Sequence, residues 1–172
     1  MKNPIELAAQ FIRRDNIVLA NDVLRDEYGV EYAYPAQVQY YEFHYTGQYI
    51  NEALKHVAEM FGCLTYMARE DGSTWLTVVG EKEAIDKLEE VRRVALSDEY
   101  GYKDALSKAV SGADIRSQEE YEKWSKDYVI GFFDGLIGNG NLGWFGMFSK
   151  HPHVVGILDG AQSAQRYVKE KK

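Results

Sequence analysis

Residues 49–96 decide the fold, and they read YINEALKHVAEMFGCLTYMAREDGSTWLTVVGEKEAIDKLEEVRRVAL. The segment 49–61 carries apolar residues at the three- and four-residue spacing of an amphipathic helix. Gly62 follows it and can adopt the left-handed conformation that commonly ends helices. Apolar periodicity returns over 81–96. The stretch therefore predicts a helix at each end.

A β-hairpin is predicted between these two helices. The runs 63–69 and 74–79 are rich in β-branched, aromatic and aliphatic residues, and they flank Asp71-Gly72, a pair that favours a two-residue hairpin turn. This turn fixes the strand register. The predicted pairs are Ala68 with Trp75, Tyr66 with Thr77 and Leu64 with Val79.

Side chains alternate along a strand, so the register also predicts the core. Met67, Leu76 and Val78 share the more apolar face, and we expect helix residues Leu54, Val57, Ile85 and Leu88 to cover it. The opposite face carries Tyr66 and Trp75, and these aromatic side chains must either be covered by another part of the protein or bind a ligand.

A period-two pattern over 37–45 predicts one more strand, on which Tyr41 and Phe43 alternate with polar residues. Strand, helix, hairpin and helix form most of a ferredoxin-like β-α-β-β-α core. The predicted fold class is α+β, with a small, mostly antiparallel sheet on this core. Tyr41, Phe43, Tyr66 and Trp75 would then be candidates for an aromatic binding face, as in sheets that bind RNA or nucleotides.

The flanking regions are predicted to be helical. We expect an N-terminal helical segment at 1–30, the α+β core at 37–97, and a helical region at 98–172 packed on that core within one domain. Ser117 and Glu120 form a capping-box pattern at the start of one C-terminal helix, and Pro152 begins another.

Two pairs of glycines mark these last two helices. Gly131 and Gly135 lie one turn apart, as do Gly156 and Gly160. Because glycine costs about 1 kcal/mol in a helix interior, four of them need a reason. Close backbone approach in a C-terminal helical hairpin supplies it.

Composition excludes several function classes. The net charge is −7, which opposes nonspecific nucleic-acid binding because phosphate neutralisation requires a basic surface. Cys63 is the single cysteine, which excludes an intrachain disulfide, and we expect a buried structural thiol. No signal-peptide core or membrane-length apolar run is present, so the chain is predicted to be cytoplasmic, without membrane association.

The glycine-aromatic segment 143–148 is the predicted partner-binding surface. Its glycines disfavour regular structure, yet four large apolar residues lie within it: Trp144, Phe145, Met147 and Phe148. Such a segment either folds back as an anchor for the helical hairpin or waits for a partner to cover it.

No cofactor motif occurs, and no catalytic constellation is visible. If a metal were bound, its ligands would be His151, His153 and Asp159, because the two histidines are separated by one residue and the carboxylate is close in sequence. A metal-dependent hydrolase or nuclease is therefore an alternative function. The interpretation that we prefer is a protein without a bound metal and without catalytic residues.

Residues 49–137 resemble an uncharacterised domain family of phage and prophage proteins. The resemblance is carried by Val57-Ala58-Glu59-Met60-Phe61-Gly62-Cys63, by Thr77-Val78-Val79-Gly80, and by Trp124 to Leu136 with its aromatic-x-x-Gly pattern. It implies a phage origin and supplies no catalytic residues.

Acidity, thirteen tyrosines and the lack of a catalytic constellation together predict a non-enzymatic binding protein. Tyrosine-rich surfaces bind proteins at low entropic cost. With the phage resemblance, the expectation is an accessory or anti-defence protein that acts on a host protein. Metal-dependent hydrolysis and nucleotide or RNA binding are the alternatives.

Overall fold

The structure, a computed structural model, describes residues 38–45, 50–70, 73–138 and 150–171. In chain order the elements are β1 (Val38–Tyr45), α1 (Ile50–Met60), β2 (Leu64–Glu70), β3 (Ser73–Glu81), α2 (Lys82–Ala95), α3 (Tyr102–Ser111), α4 (Gln118–Leu136) and α5 (Pro152–Lys171). Up to α2 the order is strand, helix, strand, strand and helix, and from α3 onward the described elements are all helices.

The sheet has β3 at its centre, with β1 and β2 paired antiparallel on its two sides. The β2–β3 register is the predicted one: Leu64 pairs with Val79, Tyr66 with Thr77 and Ala68 with Trp75. Leu76 and Val78 are fully buried and Met67 is half-buried. The hairpin register is therefore confirmed, although the turn at 71–72 lies outside the described residues.

Helix α1 ends as the sequence predicts. Gly62 has φ +83°, and its N–H donates to the carbonyl of Glu59 at 3.1 Å. The N–H of Cys63 reaches back to the carbonyl of Ala58 at 3.0 Å. These two bonds form a Schellman motif, which satisfies carbonyls that the end of a helix leaves unpaired.

Cys63 is buried at the start of β2, as predicted. Gly80 lies directly opposite, since a Cβ atom there would overlap the Cys63 side chain. Burial, and then the negative charge of Glu81, raises the pKa of the Cys63 thiol to about 11. The thiol is therefore protonated and unreactive at neutral pH.

The described residues form two compact units. One unit contains the sheet and holds 38–45, 58–70 and 73–89; the other is helical and holds 50–57, 90–138 and 150–171. Most of α1 and the end of α2 thus belong to the helical unit. Four buried apolar residues of the two helices are those predicted to lie in the core: Leu54, Val57, Ile85 and Leu88.

The helical unit is built around the α4–α5 pair, which approaches through its glycines. An added Cβ atom on each glycine would overlap the backbone of the opposite helix: Gly131 at His153, Gly135 at Ile157 and Ala161, Gly156 at Tyr128, and Gly160 at Phe132. Such proximity is possible only without side chains. The predicted contact between the two glycine pairs is confirmed.

The start of α4 is capped by side chains. The Ser117 hydroxyl accepts from the N–H of Glu120 at 3.1 Å, as predicted. The Glu120 carboxylate accepts from the N–H of Arg116 at 3.0 Å, one residue before the cap. One of the N–H groups that a helix start leaves unpaired is thereby satisfied, and the residue before the cap is tied to the same turn. At the other end, Gly138 has φ +74° and ends the helix.

The fold class predicted from the sequence, an α+β fold with a ferredoxin-like β-α-β-β-α core, is wrong. The described part of the chain is mostly helical, and no fourth strand lies within it. A ferredoxin-like core needs both helices packed on the sheet in one unit. Here 50–57 and 90–95 group with the helical unit, in which His56 of α1 contacts Asp134 of α4.

The predicted N-terminal helical segment, 1–30, lies outside the described residues, so it stays a prediction. The division into 1–30, 37–97 and 98–172 within one domain likewise stays a prediction. No helix among the described residues combines the length and apolar character that a membrane span requires.

Candidate functional site

A cleft of about 550 Å³ opens in the helical unit, lined by α3, α5 and the turn before α3, with Phe132 of α4. Its apolar lining also includes Val155 of α5 and Ala105 and Ala109 of α3. Ligand-binding clefts typically measure about 300–1,000 Å³ and combine an apolar lining with a few polar groups. The cleft has the dimensions of a binding site.

The polar rim of the cleft is acidic. Its carboxylates are Asp98, Glu99, Asp104 and Asp159, and its cations are Lys108 and Arg166. We call this cavity the acidic cleft. Its carboxylates come from α3, α5 and the turn at 97–101, so the excess negative charge surrounds the opening from several elements.

The turn at 97–101 is held by hydrogen bonds to its own neighbours. The Ser97 hydroxyl donates to the carbonyl of Val94 at 2.8 Å and accepts from the N–H of Tyr100 at 3.1 Å. Gly101 ends the turn as the N-cap of α3, and a Cβ atom there would meet the carbonyl of Ala95 at 2.7 Å. Only glycine fits at that position, so this wall has a defined shape.

Tyr100 fastens the turn to α5. Its ring is buried, its carbonyl accepts from the Ser163 hydroxyl, and its own hydroxyl donates to Glu170. The hydrogen bond to Glu170, with burial and nearby carboxylates adding to it, raises the pKa of Tyr100 to about 12. The phenol remains a protonated donor, and the last turns of α5 stay attached to the turn.

Arg166 occupies the edge of the same wall. Its guanidinium lies 5.5 Å from the centre of the Tyr100 ring and donates to the carbonyl of Glu99 at 3.3 Å. A cation over an aromatic face is stabilised by the ring's negative face. This part of the cleft therefore already binds one guanidinium, which belongs to the chain itself.

Asp159 projects from α5 and is oriented by Tyr128 of α4. The Tyr128 hydroxyl donates to Asp159 Oδ2 at 2.6 Å. Burial raises the pKa of Tyr128, and the hydrogen bond to Asp159 raises it further. A protonated Tyr128 fixes one carboxylate oxygen, and the charge of Asp159 remains part of the cleft.

A second polar cluster lies at the α1–α4–α5 junction of the helical unit. Asp134 is buried, with His56 Nε2 at 2.6 Å from Oδ1 and His153 Nε2 at 3.3 Å from Oδ2. A buried carboxylate is tolerated only with such partners. Both imidazoles are 36% exposed, and the cluster links three helices through one side chain.

The proposed metal ligands have different partners. His153 contacts Asp134, Asp159 accepts from Tyr128, and His151 Nδ1 accepts from the N–H of His153 at 3.2 Å. Within the described ranges, no group of three or more His, Cys, Asp or Glu side chains could hold a metal ion. The geometry offers no support for a metal centre at these residues.

The other predicted site residues are only partly visible. Trp144, Phe145, Met147 and Phe148 lie outside the described residues. On the sheet, the register pairs Tyr41 with Val78, Phe43 with Leu76, Tyr66 with Thr77, and Trp75 with Ala68 and His44. Positions 41 and 43 thus align with one set of alternating β3 residues, and positions 66 and 75 with the other. The register does not place the four on one face.

Sequence reasoning missed the acidic cleft. The region 97–116 has weak periodicity, and Asp98 and Asp104 are ordinary surface residues to a sequence pattern. From the sequence, Asp159 is a candidate only as a metal ligand. The one available signal was Gly101, a glycine directly before a helix.

Compared with protein-family models, with curated proteins and with solved structures, the chain has no match. The resemblance to a phage and prophage domain family therefore stays a prediction from the sequence.

Proposed function

We propose that this chain is a non-enzymatic binding protein whose acidic cleft takes a segment of another protein. The observation that carries the proposal is the cleft itself: about 550 Å³, with an apolar lining beneath a charged rim. Protein interfaces combine an apolar centre with a polar margin. An extended segment could place one side chain in the cavity and run across its rim.

The fixed shape of the cleft supports a binding role. Tyr100, Ser163 and Tyr128 each use their polar groups to hold a wall in place. A site that is ordered before its ligand arrives loses less conformational entropy on binding. Such side chains act as supports and leave the rim carboxylates to meet the ligand.

The proposal extends to origin and partner through the sequence resemblance. A phage accessory or anti-defence protein would act in the host cytoplasm on a host protein, and the cleft would be the part that contacts it. Within the described ranges, no group of side chains could hold the metal that hydrolysis would require, and the sheet register does not place the four aromatic residues of the RNA-binding alternative on one face.

Site-directed photo-crosslinking tests this proposal. A photoreactive benzoylphenylalanine replaces Ala105, which lines the cleft on α3, and the protein is irradiated in bacterial cells. The matched control carries the same group at Ser107, an exposed residue of the same helix outside the cleft lining. We expect an adduct with a host protein from position 105 and none from position 107.

A blocking variant completes the test. Ala109→Trp fills part of the cleft from α3, so it should abolish the adduct formed at position 105. Circular dichroism and melting confirm that this variant is folded. Equal adducts from both positions, or an adduct that Ala109→Trp leaves unchanged, would refute the cleft as the binding site.

A further inference from the structure

We propose that the acidic cleft recognises an arginine side chain carried by the bound segment. This inference rests on the proposed function, because it names the chemistry of the group that enters the same site. It is carried by the charge of the rim, by the guanidinium already held at its edge, and by the apolar lining.

The rim charge favours a cationic ligand. Four carboxylates face two cations in the lining. Of those cations, Arg166 lies over the Tyr100 ring and donates to the backbone carbonyl of Glu99. Asp98, Asp104 and Asp159 have no ion pair among the described residues. A ligand cation would supply the missing partner, and carboxylate–guanidinium pairs are among the stronger hydrogen-bonded contacts in proteins.

The position of Arg166 shows what this wall accommodates. Its guanidinium lies over the Tyr100 ring and donates to a backbone carbonyl, which is the combination that a planar cation can make. A ligand guanidinium in the cleft would meet Asp159, where the Tyr128 hydroxyl contacts Oδ2 and leaves Oδ1 for the ligand. The site thus extends an arrangement that the chain already contains.

The lining favours arginine over lysine. Arginine has an apolar stem that can lie on Val155, Ala105 and Ala109, and its planar head can bind a carboxylate through two parallel hydrogen bonds. Lysine presents a strongly hydrated point charge and makes no such planar pair. Neutral citrulline has nearly the same shape as arginine without the charge, so it separates shape from charge.

The test is an NMR titration of the full chain with three blocked peptides, Ala-Arg-Ala, Ala-Lys-Ala and Ala-citrulline-Ala. We expect saturable shifts of the Gly101, Ala105 and Gln162 amides with the arginine peptide. Affinity for the lysine peptide should be at least about threefold weaker, and the citrulline peptide should cause no saturable shift.

Charge-neutralising variants locate the contact. Asp159→Asn keeps an acceptor for the Tyr128 hydroxyl, and Asp104→Asn leaves the helix start in place, so both should fold normally. Each should weaken arginine binding by about threefold to tenfold. The control is Glu119→Gln, an exposed residue of α4 outside the cleft lining, which should leave binding unchanged.

The outcomes separate this inference from the proposed function. If citrulline binds as well as arginine, or Glu119→Gln weakens binding as much as Asp159→Asn, or no amide saturates, arginine recognition is refuted. An adduct from position 105 that Ala109→Trp abolishes would then still support protein binding in the cleft. Conversely, specific arginine binding without that adduct would leave the recognition chemistry standing and refute the cellular role.

Discussion

Replacing Gly135 by alanine tests the packing on which the helical unit depends. The added Cβ atom would overlap the carbonyl oxygen of Ile157, lie 2.6 Å from the nitrogen of Ala161 and lie 3.0 Å from the carbonyl carbon of Gly160. All three are backbone atoms of one helix, so no side chain can rotate away. Helix α5 must therefore move as a body away from α4.

The energetic cost follows from that movement. A gap of about 0.5–1 Å forfeits a quarter to a half of the dispersion energy of the contacts it opens. Overpacking typically costs about 1–3 kcal/mol, and alanine returns about 1 kcal/mol of helix propensity. Because the overlapped atoms are all backbone, the upper part of that range applies, about 2–3 kcal/mol, and the net loss in the free energy of unfolding is about 1–2 kcal/mol. For a chain of this size that lowers Tm by about 2–8 °C.

Urea and thermal denaturation followed by circular dichroism measure this change. The control is Gly112→Ala at the end of α3, where φ is −94° and the nearest atom to an added Cβ is 3.8 Å away. That variant should stay within about 0.5 kcal/mol of the parent. A Gly135→Ala protein as stable as Gly112→Ala, or more stable than the parent, would refute glycine-mediated packing.

Three further predictions concern local contacts. His56→Ala should destabilise more than His153→Ala, by about 1 kcal/mol, because the two imidazoles are equally exposed but His56 lies closer to Asp134; chemical denaturation that ranks them the other way would contradict the geometry. Ser117→Ala should cost about 1 kcal/mol of stability by removing the α4 cap, and Ser117→Asp should restore it; an unaffected alanine variant would mean that the cap contributes nothing. The Cys63 thiol should react with a disulfide reagent at pH 8 about a hundredfold more slowly than an unfolded thiol, since its pKa is about 11 against 9.0. Equal labelling rates in native protein and in urea would refute this raised pKa. Because the unfolded thiol ionises at lower pH than the folded one, the contribution of Cys63 to the free energy of unfolding is complete below pH 9 and is lost as pH rises through 11.

Local patterns in the sequence predicted local structure well. The Asp71-Gly72 pair predicted the hairpin register that the two strands have, Gly62 predicted the end of α1, and Ser117 predicted the start of α4. Each signal acts over a few residues, where backbone sterics and one hydrogen bond decide the outcome. The two glycine pairs also predicted a contact between residues far apart in sequence, the packing of α4 on α5. This worked because only close backbone approach explains glycine repeated at helical spacing.

The fold class was predicted wrongly and the acidic cleft was not predicted at all, for a shared reason. The apolar stripe of α1 indicates that the helix is buried but does not say against what, and a polar face can also matter: His56 contacts Asp134, 78 residues away. The acidic cleft joins Asp98, Asp104 and Asp159 from separate elements, and no single stretch contains its pattern. Such sites arise from tertiary arrangement, which residue spacing does not encode.

The attachment of the last turns of α5 to Tyr100 makes proteolysis a reporter of the cleft. Trypsin cleaves after Arg166 only if the helix there opens locally, and opening must break the contacts that Ser163, Arg166 and Glu170 make with the turn. A ligand that bridges α3 and α5 adds to the free energy of that opening. The rate of cutting at Arg166 should therefore fall with occupancy, and it can be followed by mass spectrometry without a labelled partner.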